Sequence, residues 1–221
     1  RASLRPALFP TPPLARSAAT LPVNYTFTAG DAGTHTFPAG FILRTAGSHV
    51  ITVTDVANAT ITGSGGVTVV PPAHTALIAS STSLTTVTAT WNPSTGATQY
   101  EVFRDGVSIG TTAATSFPDS ALTPGTSYVY RVRAIDSGSR PSPLSAPDAA
   151  TTITFTDDPA AAGITTIKAA HWSEVRQGVN AMRAKAGLGA ASFTDTNLTG
   201  VLLKAVHVQE ARNAVAEARA I

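Results

Sequence analysis

The chain has 221 residues and no cysteine, and its 15 Lys and Arg against 13 Asp and Glu leave a net charge of +2. The lack of thiols excludes disulfides and thiolate metal sites, and so small a charge, with no Lys/Arg stripe, excludes a nucleic-acid footprint. Charged residues make up only 13%, roughly half the usual share, and no apolar run approaches the ~18 residues of a membrane span.

Thr, Ser, Ala, Val, Gly and Pro fill the space left by charge, a composition that suits exported β-rich modules with many turns. The chain starts at Arg1 and its only methionine is Met182. The expectation is a processed chain or a piece of a longer one, with a cleaved secretion signal as the simplest route. That places it outside the cell, at the bacterial cell surface.

Residues 1–23 form a Pro-rich arm with five of the fifteen prolines and three arginines. Such a segment has no core of its own. Ala2, Leu4, Pro6 and Leu8 alternate with Ser3, Arg5 and Ala7, a strand pattern that Pro6 restricts to a sheet edge.

Residues 24–73 have period two. Tyr25 and Phe27 alternate with Thr26 and Thr28, Val50 to Thr54 alternate again, and Val67-Thr68-Val69 follows a turn expected at Gly63 to Gly66. The stretches from Asn24 to Phe37 and from Arg44 to Asp55 resemble bacterial immunoglobulin-like repeats, of which they cover about the last half. The early strands are missing, so the module reads as an incomplete sandwich with an open edge.

Residues 74–153 carry strand-like runs at Thr85 to Thr90, Gln99 to Arg104, Val107 to Thr112 and Ser127 to Ile135, with a hairpin turn at Asp105-Gly106. Trp91 ends the first run, Tyr100 lies on the second, and Leu122-Thr-Pro124-Gly125-Thr-Ser-Tyr128 follows. This stretch resembles a fibronectin type III domain over nearly its whole length. The resemblance implies Trp91 as the core tryptophan and Leu122, Pro124, Gly125 and Tyr128 as a tyrosine corner.

Residues 154–221 switch period. The run Ile167-Lys-Ala-Ala-His171-Trp-Ser-Glu174-Val-Arg176 recurs as Leu203-Lys-Ala-Val-His207-Val-Gln-Glu210-Ala-Arg212, at an offset of 36. Both copies open on a shared lead-in, Phe155-Thr-Asp157 and Phe193-Thr-Asp195. The pattern predicts a duplicated loop-helix module. Trp172, Val175, Val179, Met182 and Ala186 share one helical face; Val208, Ala211, Val215 and Ala218 share the other. It resembles a duplicated helical module at the C-termini of large bacterial surface proteins, for which no activity is implied. The fold class expected is thus mainly β, with tandem immunoglobulin-like β-sandwiches and a small C-terminal α-helical repeat pair.

For chemistry, His171 with Glu174 and His207 with Glu210 stand at i, i+3 on helix faces, and could converge as a metal site. Duplication repeats every structural residue, so the expectation is that these pairs bond one another or cap helices, with no metal and no cofactor. None of the five histidines lies in a nucleophile-elbow or His-Glu-x-x-His setting, so no catalytic residue is assigned and the chain is not expected to be an enzyme. Asn24, Asn58 and Asn197 match the glycosylation sequon.

An arm without a core and a sandwich without strands are complementary. The first expectation is therefore a secreted subunit of a surface fibre or pilus-like filament, with Ala2, Leu4, Leu8 and Phe9 entering the sheet of the next copy. Its partners would be other copies of itself, with surface glycans or other cell-surface proteins as further ligands. The alternatives are that the arm folds back onto its own domain, that the chain is the C-terminal segment of a large adhesin, and that it is a noncatalytic accessory module of a secreted hydrolase.

Overall fold

The computed structural model describes residues 3–9, 19–32, 34–37, 40–73, 76–159, 161–162 and 166–220, with residues 3–9 described by their backbone alone. Two compact units are present: one gathers 1–73, 94–99 and 134–143, the other 74–93, 100–133 and 144–221. No helix among the described residues is long and apolar enough to cross a membrane.

In the first unit, β1 (Ser3–Phe9), β2 (Tyr25–Thr26), β3 (Gly47–Asp55) and β4 (Thr62–Val69) form one antiparallel sheet in the order β2-β1-β3-β4. The arm lies inside its own sheet, with Leu4 opposite Asp55, Leu8 opposite Ile51 and Phe9 opposite Val50. In this chain β1 takes up the ladder bonds of β3, which is the arrangement expected if the arm folds back onto its own domain. Ala2 lies outside the described residues. Among the described residues these four strands make a single layer.

Gly63 to Gly66 lie within β4, not in a turn, with Gly65 opposite Ile51. The reversal comes earlier, where the Asp55 carboxylate accepts the N–H groups of Ala57 (2.7 Å) and Asn58 (3.1 Å). A carboxylate that bonds the backbone two residues on starts a turn by itself. Only two residues of the Tyr25 to Thr28 run form a strand, because Asp31 accepts from the Thr28 N–H (2.6 Å) and the Tyr25 hydroxyl (2.8 Å) and winds the chain into a short 3-10 turn. Tyr25 stacks on His35, their ring centroids 3.4 Å apart.

The sandwich that follows has a four-stranded sheet, β11-β10-β7-β8, facing a three-stranded one, β5-β6-β9. Its strands are β5 (Ile78–Ser83), β6 (Thr86–Thr90), β7 (Ala97–Arg104), β8 (Val107–Thr112), β9 (Ser116–Asp119), β10 (Ser127–Asp136) and β11 (Asp148–Thr151). Alternation decides which side chains go inside: Val87 and Ala89 on β6, Tyr100 and Val102 on β7, and Tyr130 and Val132 on β10 are all buried. Trp91 meets Tyr100 edge-on at 5.5 Å, a favoured aromatic geometry. Asp105 and Gly106 both have positive φ (53° and 81°), as a two-residue type I′ hairpin requires.

Two helices complete the chain, α1 (Ala169–Lys185) and α2 (Ala205–Arg219). Val179 of α1 packs with Ala211 and Ala214 of α2, and Trp172, Val175, Phe193 and Val215 close around them. Of the stripes read from the sequence, Trp172, Val175, Val179, Ala211 and Val215 form the seam, with Ala214 added, whereas Val208 is exposed.

Candidate functional site

The residues singled out for chemistry lie where each lead-in loop meets its helix. In the first copy, His171 Nδ1 accepts the backbone N–H of Lys168 (3.2 Å), and Nε2 lies 3.2 Å from Asp157 Oδ2. Lys168 Nζ meets the same carboxylate oxygen at 2.5 Å. The second copy repeats the set: His207 Nδ1 accepts from Lys204 N–H (3.2 Å), Nε2 lies 3.0 Å from Asp195 Oδ2, and Lys204 Nζ lies 2.9 Å from it.

The glutamates face the preceding residue of each loop. Glu174 accepts from the N–H (2.9 Å) and hydroxyl (2.5 Å) of Thr156. Glu210 accepts from the N–H of Thr194 at 3.0 Å and from its hydroxyl. Thus each Thr-Asp dipeptide is clamped by the Glu and His of its own helix, and the His and Glu do not bond one another as the spacing suggested. The recurrence of Phe-Thr-Asp before each helix is the signal in the sequence that could have found these partners.

The hydrogen bonds assign the tautomer: Nδ1 accepts, so Nε2 carries the proton and donates to the aspartate. A general base needs a ring nitrogen free to take a proton from a nucleophile. Here neither imidazole has one, since one nitrogen is used by the helix N-terminus and the other by the carboxylate. Among the described residues no three His, Asp or Glu side chains are grouped closely enough to hold a metal ion.

Electrostatics match a fixed network of ionised carboxylates. The Lys168 ammonium, and after it His171, hold the Asp157 carboxyl below its ordinary range; Lys204 and His207 do so for Asp195. Hydrogen bonds from the Thr156 and Thr194 hydroxyls hold Glu174 and Glu210 down likewise. These are charges stabilised in place, the reverse of an acid or base poised for proton transfer.

One arginine ties the two copies. Arg176, only 7% exposed, donates to the carbonyls of Thr194 (2.8 Å) and Asp195 (2.9 Å), and its guanidinium lies 4.7 Å from the Phe193 ring centre. On the opposite side, α1 rests on the sandwich: a Cβ built on Gly178 would lie 3.9 Å from Ile153, one on Gly125 would lie 3.1 Å from the Gln177 amide, and Lys185 Nζ meets Asp105 at 2.5 Å. Between the tyrosine corner and the second lead-in loop lies a shallow open groove, lined by Gly125, Ser173, Gln177, Asn180, Phe193 and Thr196.

The sequon residues Asn24, Asn58 and Asn197 are all exposed. At Asn58 the side-chain oxygen accepts from the Thr60 N–H (3.2 Å) and hydroxyl (2.6 Å), and at Asn197 it accepts from the Thr199 N–H (3.0 Å).

In the sandwich, the Tyr128 hydroxyl oxygen accepts the N–H of Thr123 at 3.0 Å, and Gly125 has a φ of +64°. That is the back-bond of a tyrosine corner, with glycine where the loop needs a positive φ.

No protein-family model matches the chain. It is similar to exoglucanase B of Cellulomonas fimi, 40% identical over 90 residues, which is 39% of this chain and 8% of that enzyme. It is similar to poly(3-hydroxybutyrate) depolymerase of Ralstonia pickettii, 40% identical over 80 residues, 36% of this chain and 16% of the enzyme. Exochitinase 1 of Streptomyces olivaceoviridis is 46% identical over 65 residues, 29% of this chain and 11% of the enzyme. The chain therefore spans a small fraction of the curated relatives it matches. Among solved structures, an Fn3-like protein from Clostridium thermocellum is 29% identical over 37% of this chain and 90% of that one, with a TM-score of 0.33. With the two facing sheets, the Trp91–Tyr100 core and the Tyr128 back-bond in place, residues 76–153 are a fibronectin type III domain.

Proposed function

We propose that this chain is a noncatalytic accessory segment of a secreted polymer-degrading hydrolase, in which the fibronectin type III domain acts as a spacer and the helical pair as a clamped unit packed on it. One observation carries the reading: the chain is similar to parts of a glucanase, a chitinase and a polyester depolymerase, each matched over 16% of its length or less. Those enzymes break glycosidic and ester bonds in unlike substrates. A likeness confined to so small a part of enzymes with such different chemistry points to a mechanical or positional contribution.

The same reasoning supports a place outside the cell. Enzymes named for such polymers meet substrates too large to enter, and a cysteine-free, low-charge sandwich suits that setting without disulfides.

The test has two arms. The purified chain is incubated with insoluble chitin, cellulose and polyhydroxybutyrate; no soluble product is expected, and product release by the chain alone would overturn the reading. The chain is then joined to a chitinase catalytic domain. Activity on soluble oligomers should be unchanged while activity on insoluble chitin shifts. An unchanged rate on both substrates would remove the accessory role.

A further inference from the structure

We infer that the open groove between the tyrosine corner and the second lead-in loop binds a stretch of a neutral polysaccharide chain. The inference rests on the accessory-module reading and names the class of polymer that such a segment would hold.

The residues that form the groove belong to one compact unit. Gly125 of the sandwich lines one side and Phe193 and Thr196 of the lead-in loop line the other, with Ser173, Gln177 and Asn180 of α1 along it. Its volume is about 570 Å³ and it stays open to solvent. That is the volume of a ligand site, without the walls that would enclose a small molecule, and it suits a polymer that passes through.

The lining also sets the charge of the ligand. Arg176 is its one charged residue, and the guanidinium already donates to the carbonyls of Thr194 and Asp195. A cation would meet no carboxylate in the lining, and an anion would meet only a guanidinium that two carbonyls already occupy.

Two of the polar side chains are fixed by bonds of their own, and each keeps a group for a ligand. Asn180 Oδ1 accepts the Ala191 N–H at 2.9 Å, which leaves its NH2 group to donate. The Ser173 hydroxyl donates to the Ala169 carbonyl at 3.0 Å, which leaves the oxygen to accept. Gln177 and Thr196, both exposed, add an amide and a hydroxyl that can do either. Phe193 places a half-buried ring beside them. Donors and acceptors interleaved around an aromatic ring match a pyranose chain, whose hydroxyls both donate and accept and whose ring C–H groups form an apolar face. A polyester chain carries acceptors alone and would leave the acceptors of this lining unpaired. Because Asn180 and Ser173 are held before a ligand arrives, little ordering is left to binding.

Cellohexaose and chitohexaose are titrated in turn into the isotope-labelled full chain. Resonances of the Gln177 and Asn180 side-chain amides and of residues 193–196 should shift with at least one of them. Thr196→Arg puts a long side chain into the groove and should weaken binding about tenfold or more, and Gln177→Ala should weaken it less. Both positions are exposed, so the far-ultraviolet spectrum should not change. No shift with either oligosaccharide would overturn the inference, as would binding indifferent to both substitutions or an equal response to an oligogalacturonate, which carries a carboxylate on each unit. The chitinase fusion separates this inference from the reading beneath it. A gain on insoluble chitin that survives Thr196→Arg would overturn the groove and leave the accessory role standing. Groove shifts without any gain in the fusion would support the groove and remove that role.

Discussion

Val132 and Ser145 exchange two hydrogen bonds: the Ser145 N–H donates to the Val132 carbonyl at 2.8 Å, and the Val132 N–H donates to the Ser145 hydroxyl at 3.0 Å. The second bond stands in for a strand ladder that the surrounding prolines interrupt, since proline has no N–H and restricts its neighbours. Ser142 serves Ala134 in the same way, its hydroxyl accepting at 2.9 Å. A run of Pro-Ser-Pro-Leu-Ser-Ala-Pro is thus stitched to β10 by serine side chains.

Ser145→Ala should therefore destabilise the sandwich by about 1–3 kcal/mol, the cost of leaving a buried N–H without an acceptor. Ser145 is only 2% exposed and Val132 is fully buried, so water does not take over the role. Urea unfolding followed by tryptophan fluorescence measures the change. A loss no larger than that of an exposed Ser120→Ala control would show that the hydroxyl is dispensable.

The two histidines should differ in weight. His207 is fully buried and His171 is 19% exposed, although both make the same bonds. Removing His207 leaves a cavity, an uncapped N–H and an aspartate held by Lys204 alone; removing His171 leaves groups that water can reach. We expect His207→Ala to cost about 2–4 kcal/mol and His171→Ala about 1 kcal/mol. Equal losses in thermal unfolding of the helical signal would show that burial does not set the difference.

Asp119 anchors the other buried polar network. Its carboxylate accepts from Arg104 Nη1 (2.8 and 2.9 Å) and from the buried Tyr130 hydroxyl (2.8 Å). Burial, and then the carboxylate beside it, pushes the Tyr130 phenol well above its ordinary range, so it stays a donor. Tyr130→Phe should cost about 1 kcal/mol, because Asp119 keeps Arg104. Asp119→Ala strips both partners and should cost about 3 kcal/mol or more. Denaturant midpoints for the two variants give the comparison, and a Tyr130→Phe loss as large as that of Asp119→Ala would contradict this ordering.

What the sequence made legible follows from where its periodicity was strong. β7, β8 and β10 stand within two residues of their expected places because large apolar side chains alternate along them. β5, β9 and β11 went unread: Ile-Ala-Ser-Ser-Thr-Ser, Ser-Phe-Pro-Asp and Asp-Ala-Ala-Thr are short, small or interrupted by proline. The glycines of β4 misled because Gly-Gly is a turn signal in general, whereas here the Asp55 side chain makes the turn. Of the candidate site, the recurrence of His and Glu was plain. Their partners were not, because Thr156 and Asp157 lie 18 and 14 residues from the side chains they bind. Only folding reveals that the lead-in Thr-Asp supplies the counterpart.

Acid should act first on the helical module. Asp157 and Asp195 are held below the ordinary aspartate value of 3.8, chiefly by Lys168 and Lys204. Glu174 and Glu210 are held below the ordinary glutamate value of 4.5, chiefly by the Thr156 and Thr194 hydroxyls. A carboxyl whose folded value is depressed binds its proton more readily when unfolded. Its contribution is complete above the unfolded value and is lost as the pH falls through the folded one. The helical far-ultraviolet signal should thus become easier to melt as the pH drops below about 4.5, with the loss continuing below 3.8. Asp157→Asn with Asp195→Asn removes two of the titrating groups while keeping their size, so the double variant should be less stable at neutral pH and its stability should change less steeply with acid. A double variant that matches the parent's acid profile would place the acid response in the sandwich, where Glu101 is also held low by Ser108 and Arg133.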